Sequence, residues 1–251
     1  MYGEKFKTKM KEVLKKDFNI EIDTRAGIYS YFITHSARFI KRKNGNRLGF
    51  VTLRSWLDVG FGEELKKFLI NNFKIVAIIQ SLTEKWFPDA QMIPCIIIIE
   101  RETKKNKRDE NYIKFLQIKC PLVELIPVIK DEDNKLEEIE RWKRVDELVK
   151  KIEGFPQNID ENDKIIEKFR RIKIENNKKY RILSIKQKYL ESENKWGVYL
   201  TTPLVFFKIF EDQKYQDLLV KLGGNNGILD ITSGLKTGAN AFFYFSRTVF
   251  S

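Results

Sequence analysis

The chain has 251 residues, of which 42% are hydrophobic and 33% are charged, and this composition excludes a disordered polymer. No apolar run approaches the roughly 20 residues that span a bilayer. The charged start, MYGEKFKTKMKEVLKK, lacks the apolar core of a signal peptide, so we expect a soluble cytoplasmic protein. The net charge of +12 favours a polyanionic partner such as nucleic acid, although lysine-rich solvated surfaces give the same charge.

The first half of the chain alternates helix-like and strand-like segments. Amphipathic periodicity predicts helices, and short apolar runs without polar alternation predict strands that are buried on both faces. In chain order these are a helix at 6–18, a helix at 28–41 ended by KNGNR, a strand at 48–53, a helix EELKKFLINNF, and strands at 74–81 and 93–100. The order predicts an α/β sheet covered by helices. Three such strands are fewer than a nucleotide-binding sheet usually has, so this part resembles the second half of an α/β domain.

The second half is more charged and less regular. A charged loop, ETKKNKRDEN, precedes the strand YIKFLQIKC, and a charged amphipathic helix follows at 135–155. A polar, lysine-rich region runs from 160 to about 181, KYRILSIKQKYL contains a strand, and TPLVFFKIFED begins with a Thr-Pro helix start. These features predict a mixed α+β region after the sheet.

Basic residues are concentrated in two stretches. Residues 38–54 contain six basic side chains, including Arg42, Lys43 and Arg47, and no acidic one. Residues 164–181 contain eight basic and two acidic side chains. Either stretch could face phosphates, but a run of charge is more often a solvated helix face, so neither decides the function alone.

Two large aromatics, Trp86 and Phe87, stand before Pro88 in EKWFPDAQMIPCIIIIER, immediately ahead of an apolar run. They could simply cover the end of a buried strand. A ring held rigidly on a proline-stiffened loop could also stack on a flat group such as a nucleobase. The sequence leaves both interpretations open.

Several catalytic signatures do not occur in the sequence. There is no Gly-rich phosphate loop of the GxGxxG or GxxxxGK type and no metal-binding spacing, so we predict no metal site and assign no catalytic residue. His35, the only histidine, lies in an apolar helix and is interpreted as structural. Cys95 and Cys120 lie in apolar or strand-like contexts, which predicts buried thiols and not a disulfide framework.

Three blocks together resemble adenine-specific DNA methyltransferases of restriction–modification systems, of the gamma type. They are TRAGIYSYFITHSARFIKRKNGNRLGFVTLRSWLDVGFGEELKKFLINNFKIVAIIQS, EKWFPDAQMIPCIIIIER, and KWGVYLTTPLVFFKIFE with GILDITSGLKTGANAFFYF. The blocks keep the family's order and cover most of the chain, with 131–194 the weakest part. The resemblance implies the distal half of a Rossmann-like methyltransferase sheet, followed by a mixed α+β region that leads into a target-recognition domain.

The resemblance also implies a chemistry. Such enzymes transfer a methyl group from S-adenosylmethionine to the exocyclic amine of an adenine that is flipped out of double-stranded DNA. An aromatic before the penultimate strand stacks on the flipped base in that family, and Phe87 occupies this place, with Trp86 and Pro88 at the rim of the pocket. Lys236, Thr237 and Asn240 are candidates for DNA contacts, or else form a simple turn, and Arg42, Lys43 and Arg47 are further candidates.

The sequence departs from the family in two ways. Neither the Gly-containing cofactor motif nor the Asn-Pro-Pro-Tyr motif occurs in it, and Ala241 stands where the family usually has an acidic residue. We therefore expect residues 1–125 to be the C-terminal part of the catalytic domain, 126–200 a charged helical connector, and 201–251 the start of target recognition. The chain then corresponds to a middle piece of the family's layout, with its cofactor-binding residues unknown.

Three interpretations follow from this layout. The chain could be one part of a split methyltransferase that a second chain completes, a truncated product or fragment, or a basic DNA-binding α/β module without catalysis. Because positioning supplies most of such catalysis, a chain without the amine clamp should be inactive alone. A requirement for a partner predicts an exposed apolar sheet edge near 49–53, whereas a free-standing module predicts that this edge is covered.

Overall fold

A computed structural model describes residues 2–23, 25–40, 44–87, 93–126, 135–156, 165–168, 171–192, 194–211, 213–216, 218–220 and 227–229. The chain divides into two compact units, Met1–Lys208 and Ile209–Ser251. The first unit holds the whole β-sheet. The described part of the second consists of the end of one helix, one short helix and two short stretches without regular structure.

The described residues form eight α-helices and seven β-strands. The helices are α1 (Tyr2–Phe18), α2 (Ile28–Ser36), α3 (Glu63–Asn72), α4 (Lys105–Asp109), α5 (Lys135–Gly154), α6 (Val198–Thr201), α7 (Leu204–Glu211) and α8 (Gln213–Gln216). The strands are β1 (Arg47–Leu53), β2 (Phe73–Ser81), β3 (Pro94–Arg101), β4 (Tyr112–Ile118), β5 (Ile165–Lys168), β6 (Ile172–Asn176) and β7 (Tyr180–Lys186). Two 3-10 turns follow β1, and one follows each of β4 and β7.

All seven strands belong to one mixed sheet in the order β1-β3-β2-β4-β7-β6-β5. Strand β3 runs antiparallel to both of its neighbours, β1 and β2, so β1 and β2 point in the same direction. Strand β4 is parallel to β2, and β7, β6 and β5 continue in alternating directions. The carboxyl ends of β1, β2 and β4 therefore meet at one edge of the sheet, the carboxyl edge, and their amino ends form the opposite amino edge.

One face of the sheet, the covered face, carries the main hydrophobic core. Side chains such as Phe73, Ile97 and Phe115 are completely buried there, beneath α1, α2, α3 and residues 190–207. The other, half-open face is covered mainly by α5, whose Ile152 packs with Leu116 and other apolar residues in a smaller cluster. At the β1 end this face stays accessible, and Val51 is 55% exposed.

Gln187 completes the hydrogen bonding at an irregular point of the sheet. The register between β2 and β3 shifts between Ile75 and Ala77, and the ladder from β2 to β4 begins only at Ala77. The side-chain oxygen of Gln187 accepts hydrogen bonds from the backbone N–H of Ile75 and from Asn111, both at 3.1 Å. Its amide nitrogen donates to the carbonyl of Phe73 at 2.8 Å. The buried backbone groups left by the shift are thereby paired.

The structure confirms most of the predicted elements and corrects three. The predicted helix at 28–41 ends at Ser36, because Arg38 and Phe39 donate to carbonyls three residues back and close a turn. Strand β1 is not buried on both faces, since its exposure alternates along an edge strand. Within the polar region 160–181, β6 is a strand of the same sheet whose Ile172 and Ile174 are buried.

The exposed apolar edge predicted near 49–53 is confirmed. Strand β1 is the last strand on its side of the sheet among the described residues, and β3 is its only described neighbour. Of the region predicted as a connector, 126–200, residues 172–186 add two strands to the sheet. The domain boundaries at 125 and 200 stay predictions.

No described helix is both long enough and apolar enough to cross a lipid bilayer. The described residues also contain no group of three histidine, cysteine, aspartate or glutamate side chains that could hold a metal ion. Cys95 and Cys120 are both free and buried, as predicted. Burial raises the pKa of the Cys95 thiol to about 12, and burial also raises the pKa of Cys120.

We predict that neither thiol reacts with a thiol-specific reagent at pH 8 in the folded chain. The thiolate is the reactive form, and both thiols are buried with raised pKa values, so folded molecules expose almost none of it. Absorbance with Ellman's reagent should show both cysteines reacting only after guanidinium is added. Rapid labelling of Cys95 in the folded chain would contradict the packing of β3 against β1.

Candidate functional site

The carboxyl edge of the sheet is the first place to look for a site, because α/β sheets commonly bind ligands at the carboxyl ends of their parallel strands. The relevant strand ends are Leu53, Ser81 and Ile118. The loop after β2 carries the predicted stacking residues. The segment around α6, near the C-terminal end of the first unit, packs against the same edge.

The loop after β2 is anchored at its base. The hydroxyl of Ser81 accepts hydrogen bonds from the backbone N–H groups of Thr83 and Glu84, at 3.3 and 3.1 Å. The Glu84 carboxylate accepts a further bond from the backbone N–H of Leu122, at 2.7 Å. These contacts tie the loop to both β2 and the turn after β4. The aromatic pair that follows therefore stands on a fixed support.

Trp86 and Phe87 lie over the half-open face and line an apolar cavity of about 420 Å³. Trp86 is partly buried, whereas Phe87 is 51% exposed. The rest of the lining is almost entirely aliphatic and includes Val51, Ile79, Ile96, Ile98, Leu116, Leu148, Val149 and Ile152. The pair thus covers part of the sheet, as the simpler interpretation held, while half of the Phe87 ring stays open to solvent.

The cavity itself is poorly suited to a purine. A nucleobase needs hydrogen-bond partners for its edges when it is buried. Among the described residues, only Arg47 and Glu153 contribute charged groups to the lining, and they form an ion pair with each other. A base could still stack on the exposed half of Phe87 outside the cavity.

A polar cluster missed by the sequence analysis follows β1. Arg54 donates to Asp58 and to the hydroxyl of Thr201, both at 3.2 Å. The other Asp58 oxygen accepts a hydrogen bond from the backbone N–H of Gly197 at 3.0 Å. A Cβ at Gly197 would lie 2.2 Å from this carboxylate, so glycine is required for the close approach. The signal available in the sequence was a charged pair, four residues apart, directly after a strand.

The end of α6 is fixed to the sheet by two buried side chains. Arg181 on β7 donates to the carbonyls of Leu200 and Thr202, at 2.5 and 2.7 Å. Gln117 on β4 also donates to the Leu200 carbonyl. Burial lowers the pKa of Arg181, and the carbonyls supply the polar contacts that the buried guanidinium needs. Residues 197–202 are therefore held firmly at the carboxyl edge.

Arg47 lies far from this edge. It begins β1 at the amino edge, about 20 Å along the strand from the carboxyl end at 3.3 Å per residue. Its guanidinium bonds to Glu100 at 2.9 Å and to Glu153, which is the main cause of its raised pKa. Arg47 thus begins its strand at the end away from the loop of Trp86 and Phe87, although all three residues line the same cavity, and its guanidinium is held in ion pairs.

Most of the other predicted residues are not among those that the structure describes. Pro88, Arg42, Lys43, Lys236, Thr237 and Asn240 lie outside the described residues. His35 packs edge-on against Phe39, with ring centroids 5.3 Å apart. Its Nδ1 is buried without a hydrogen-bond partner among the described residues. The ring contact agrees with a structural role.

We predict that Arg181→Leu lowers the free energy of unfolding by about 2–4 kcal/mol, because it leaves buried carbonyls at the end of α6 unpaired. Arg25→Leu is the control, since Arg25 is exposed and paired with Asp23, and it should cost less than about 1 kcal/mol. Urea unfolding followed by tryptophan fluorescence measures both. Equal costs would show that Arg181 does not fix α6.

Comparison with known proteins adds a family match over part of the chain. Residues 2–87 match the model of the Eco57I restriction-modification methylase family. This agrees with the resemblance found in the sequence at the level of a restriction–modification methylase.

Three solved structures are similar at low identity. The type IIG restriction endonuclease BpuSI is 16% identical with a TM-score of 0.36, and the match covers 47% of this chain and 13% of that chain. A modification subunit of a putative type I restriction enzyme from Vibrio vulnificus YJ016 is 17% identical with a TM-score of 0.36, and the match covers 62% of this chain and 27% of that chain. A type I R-M system is 15% identical with a TM-score of 0.36, and the match covers 76% of this chain and 37% of that chain. The chain thus spans well under half the length of each. Over residues 2–87, it is similar to a restriction–modification methylase.

Proposed function

We propose that these 251 residues are part of a site-specific DNA adenine methyltransferase of a restriction–modification system. The reaction is methyl transfer from S-adenosylmethionine to the exocyclic amine of adenine in double-stranded DNA. The family match over residues 2–87 supports the methyltransferase class. Adenine specificity and the cofactor are inferred from the sequence blocks around Phe87 and residues 195–245.

The open edge of β1 is the observation that carries the proposal. An edge strand presents a row of backbone N–H and C=O groups that can pair with another strand. Strand β1 is parallel to β2 and β4, and its Val51 is more than half exposed on the half-open face. The edge therefore suits further strands of a Rossmann-like sheet, whose helices would cover the half-open face beside Ile96 and Ile98.

The missing strands would carry the cofactor chemistry. The sequence contains neither a Gly-containing cofactor loop nor an Asn-Pro-Pro-Tyr amine clamp. A polypeptide segment outside these 251 residues, such as a second chain, would supply both and make the assembly active. Without it the residues are inactive, because the acceptor amine and the methyl donor are not held in line.

The described residues would contribute target-base stacking. Phe87 presents an exposed half-ring on an anchored loop at the carboxyl edge, with Trp86 beside it. We assign Pro88, the next residue in the sequence, to the rim of the same pocket. In this proposal residues 1–125 are the distal catalytic part, 126–200 the connector and 201–251 the start of target recognition. Lys236, Thr237, Asn240, Arg42 and Lys43 remain candidates for DNA contacts. Arg47 would have to exchange its glutamate partners for a phosphate.

The open edge weighs against the alternative, a basic DNA-binding module without catalysis. A module that folds and works alone has no use for an unpaired apolar edge, and natural proteins usually cover or charge such edges. Affinity for any DNA that falls with salt, with no gain from S-adenosylmethionine, would favour that alternative.

The proposal is tested by completing the sheet. Titration calorimetry of the 251-residue chain with S-adenosylmethionine should show no binding. Adding the polypeptide encoded next to this one should restore binding and permit transfer of a tritiated methyl group to adenine in DNA. Val51→Lys should abolish complex formation, because it places a charge on the open edge. Ile28→Lys, at an exposed apolar position on α2, should not. Micromolar binding by the chain alone would refute the claim of incompleteness.

A second prediction concerns base stacking. Phe87→Ala in the completed enzyme should weaken the hold on the flipped base by about 5- to 150-fold, the equivalent of about 1–3 kcal/mol per stacked base. Fluorescence of 2-aminopurine at the target position reports how fully the base is flipped and held. Phe39→Ala, which removes an equally large and even more exposed ring, is the matched control. An unchanged signal in Phe87→Ala would leave Phe87 as a cover of the sheet only.

A further inference from the structure

The amino edge of the sheet carries a dense basic surface, here called the basic edge. Its eight basic side chains come from α4 and its preceding loop, from the start of β6 and from the end of β7: Lys104, Lys105, Lys107, Arg108, Arg171, Lys173, Lys186 and Lys188. The same described segments contain three acidic groups, Glu102, Asp109 and Glu110. Eight basic minus three acidic side chains leaves a surplus of five positive charges in these segments, within a net charge of +12 for the whole chain.

A neighbouring charge network at the same edge has no positive surplus, in contrast to the basic edge. Lys74 pairs with Glu100 at 3.3 Å and with Glu102 at 3.6 Å. Arg47 pairs with Glu100 and Glu153. The two basic side chains of this network thus face three acidic ones, and it adds no positive charge to the basic edge.

Two tyrosines hold the cations of the basic edge in place. Lys173 and Lys186 lie over the ring of Tyr112, at 5.4 and 5.5 Å from its centroid. Arg171 and Lys188 lie over the ring of Tyr189, at 5.1 and 5.5 Å. Cation–π contacts of this kind fix long side chains without neutralising their charge.

Glu110, which directly follows α4, links the α4 side of the basic edge to the end of β7. Its carboxylate accepts hydrogen bonds from Lys186 and from Lys188, the latter at 2.5 Å. These two bonds lower the pKa of Glu110 to about 2, so it stays ionised at neutral pH. One carboxylate faces two ammonium groups here, and a positive charge therefore remains even at this paired position.

We propose that the basic edge binds the phosphate backbone of nucleic acid, in addition to any contact made at the carboxyl edge. Strands β6 and β7 are neighbours, about 4.8 Å apart as strands of one sheet, and Lys173 and Lys186 lie over the same Tyr112 ring, so cations from the two strands form a row of positive charge. Duplex DNA presents one phosphate charge per about 1.7 Å of axis, a regular polyanion that such a row complements. The contact reads no bases, so it is independent of Phe87 and of the methyltransferase assignment.

The experiment measures binding of the 251-residue chain to a labelled DNA duplex of arbitrary sequence by fluorescence anisotropy across a range of salt concentrations. The triple variant Lys107→Gln, Arg171→Gln and Lys188→Gln removes three charges from the basic edge. The triple variant Lys5→Gln, Lys143→Gln and Lys150→Gln removes three exposed charges from α1 and α5 and leaves the same net charge. Thermal unfolding confirms that both remain folded.

The basic-edge triple should weaken binding by at least about tenfold and reduce the slope of log K against log salt by about 2.7, or 0.9 per lost phosphate contact. The control triple should change affinity by less than about threefold. Glu110→Gln should strengthen binding, and this gain cannot come from loss of folding.

Two outcomes would overturn the inference. Equal losses in the two triples would mean that only net charge matters. No duplex binding, together with binding of vesicles that contain anionic lipid, would assign the surface to a membrane instead. Failure of methyl transfer in the completion experiment would leave the inference untouched, because the duplex titration needs neither cofactor nor partner.

Discussion

The position of β3 between β1 and β2 is the constraint on which the rest of the structure depends. Its isoleucines from Ile96 to Ile99 pair with β1 on one side and β2 on the other. Because β3 is antiparallel to both neighbours, β1 and β2 point the same way and end at the same edge. This single arrangement puts the aromatic loop after β2 and the polar cluster after β1 on the carboxyl edge. It also leaves β1 outermost, with an edge and a face to be covered.

The second half of the chain is not an appendage to this sheet. Strand β7 pairs with β4 along its whole length, and Gln187 beside it reaches into the first half. Its side chain pairs backbone groups that the first half leaves unpaired at the shift in β2, and Gln117 of the first half donates in turn to the Leu200 carbonyl at the end of α6. Removing residues after 125 would therefore expose several buried carbonyls and amides, at a cost of about 1–3 kcal/mol each. The two halves of the first unit are thus interdependent in stability.

The sequence predicts the segments with strong periodicity and misses what depends on distant contacts. The apolar runs at β2, β3 and β4 are unmistakable because both of their faces are largely covered. The sequence of β6 looks polar, because Ile172 and Ile174 on one face are its only apolar residues and lysines surround them. The cluster of Arg54, Asp58 and Thr201 could not be predicted, because Thr201 lies 147 residues from Arg54 in the chain. The packing of α6 against β4 and the hydrogen bond from Gly197 to Asp58 bring them together.

The two edges of the sheet have different chemistry, and this difference constrains how the protein can meet DNA. At the carboxyl edge, the charged groups Arg54, Asp58 and Arg181 make internal contacts, and Phe87 exposes an aromatic half-ring. At the amino edge, cations are held over tyrosine rings and exceed their acidic neighbours. Phosphate attraction acts without orientation, whereas stacking needs a ring at a fixed place. One sheet can therefore bind DNA phosphates at its amino edge and stack on a flipped base at its carboxyl edge. The two edges lie at opposite ends of the same strands, so the two contacts are separate.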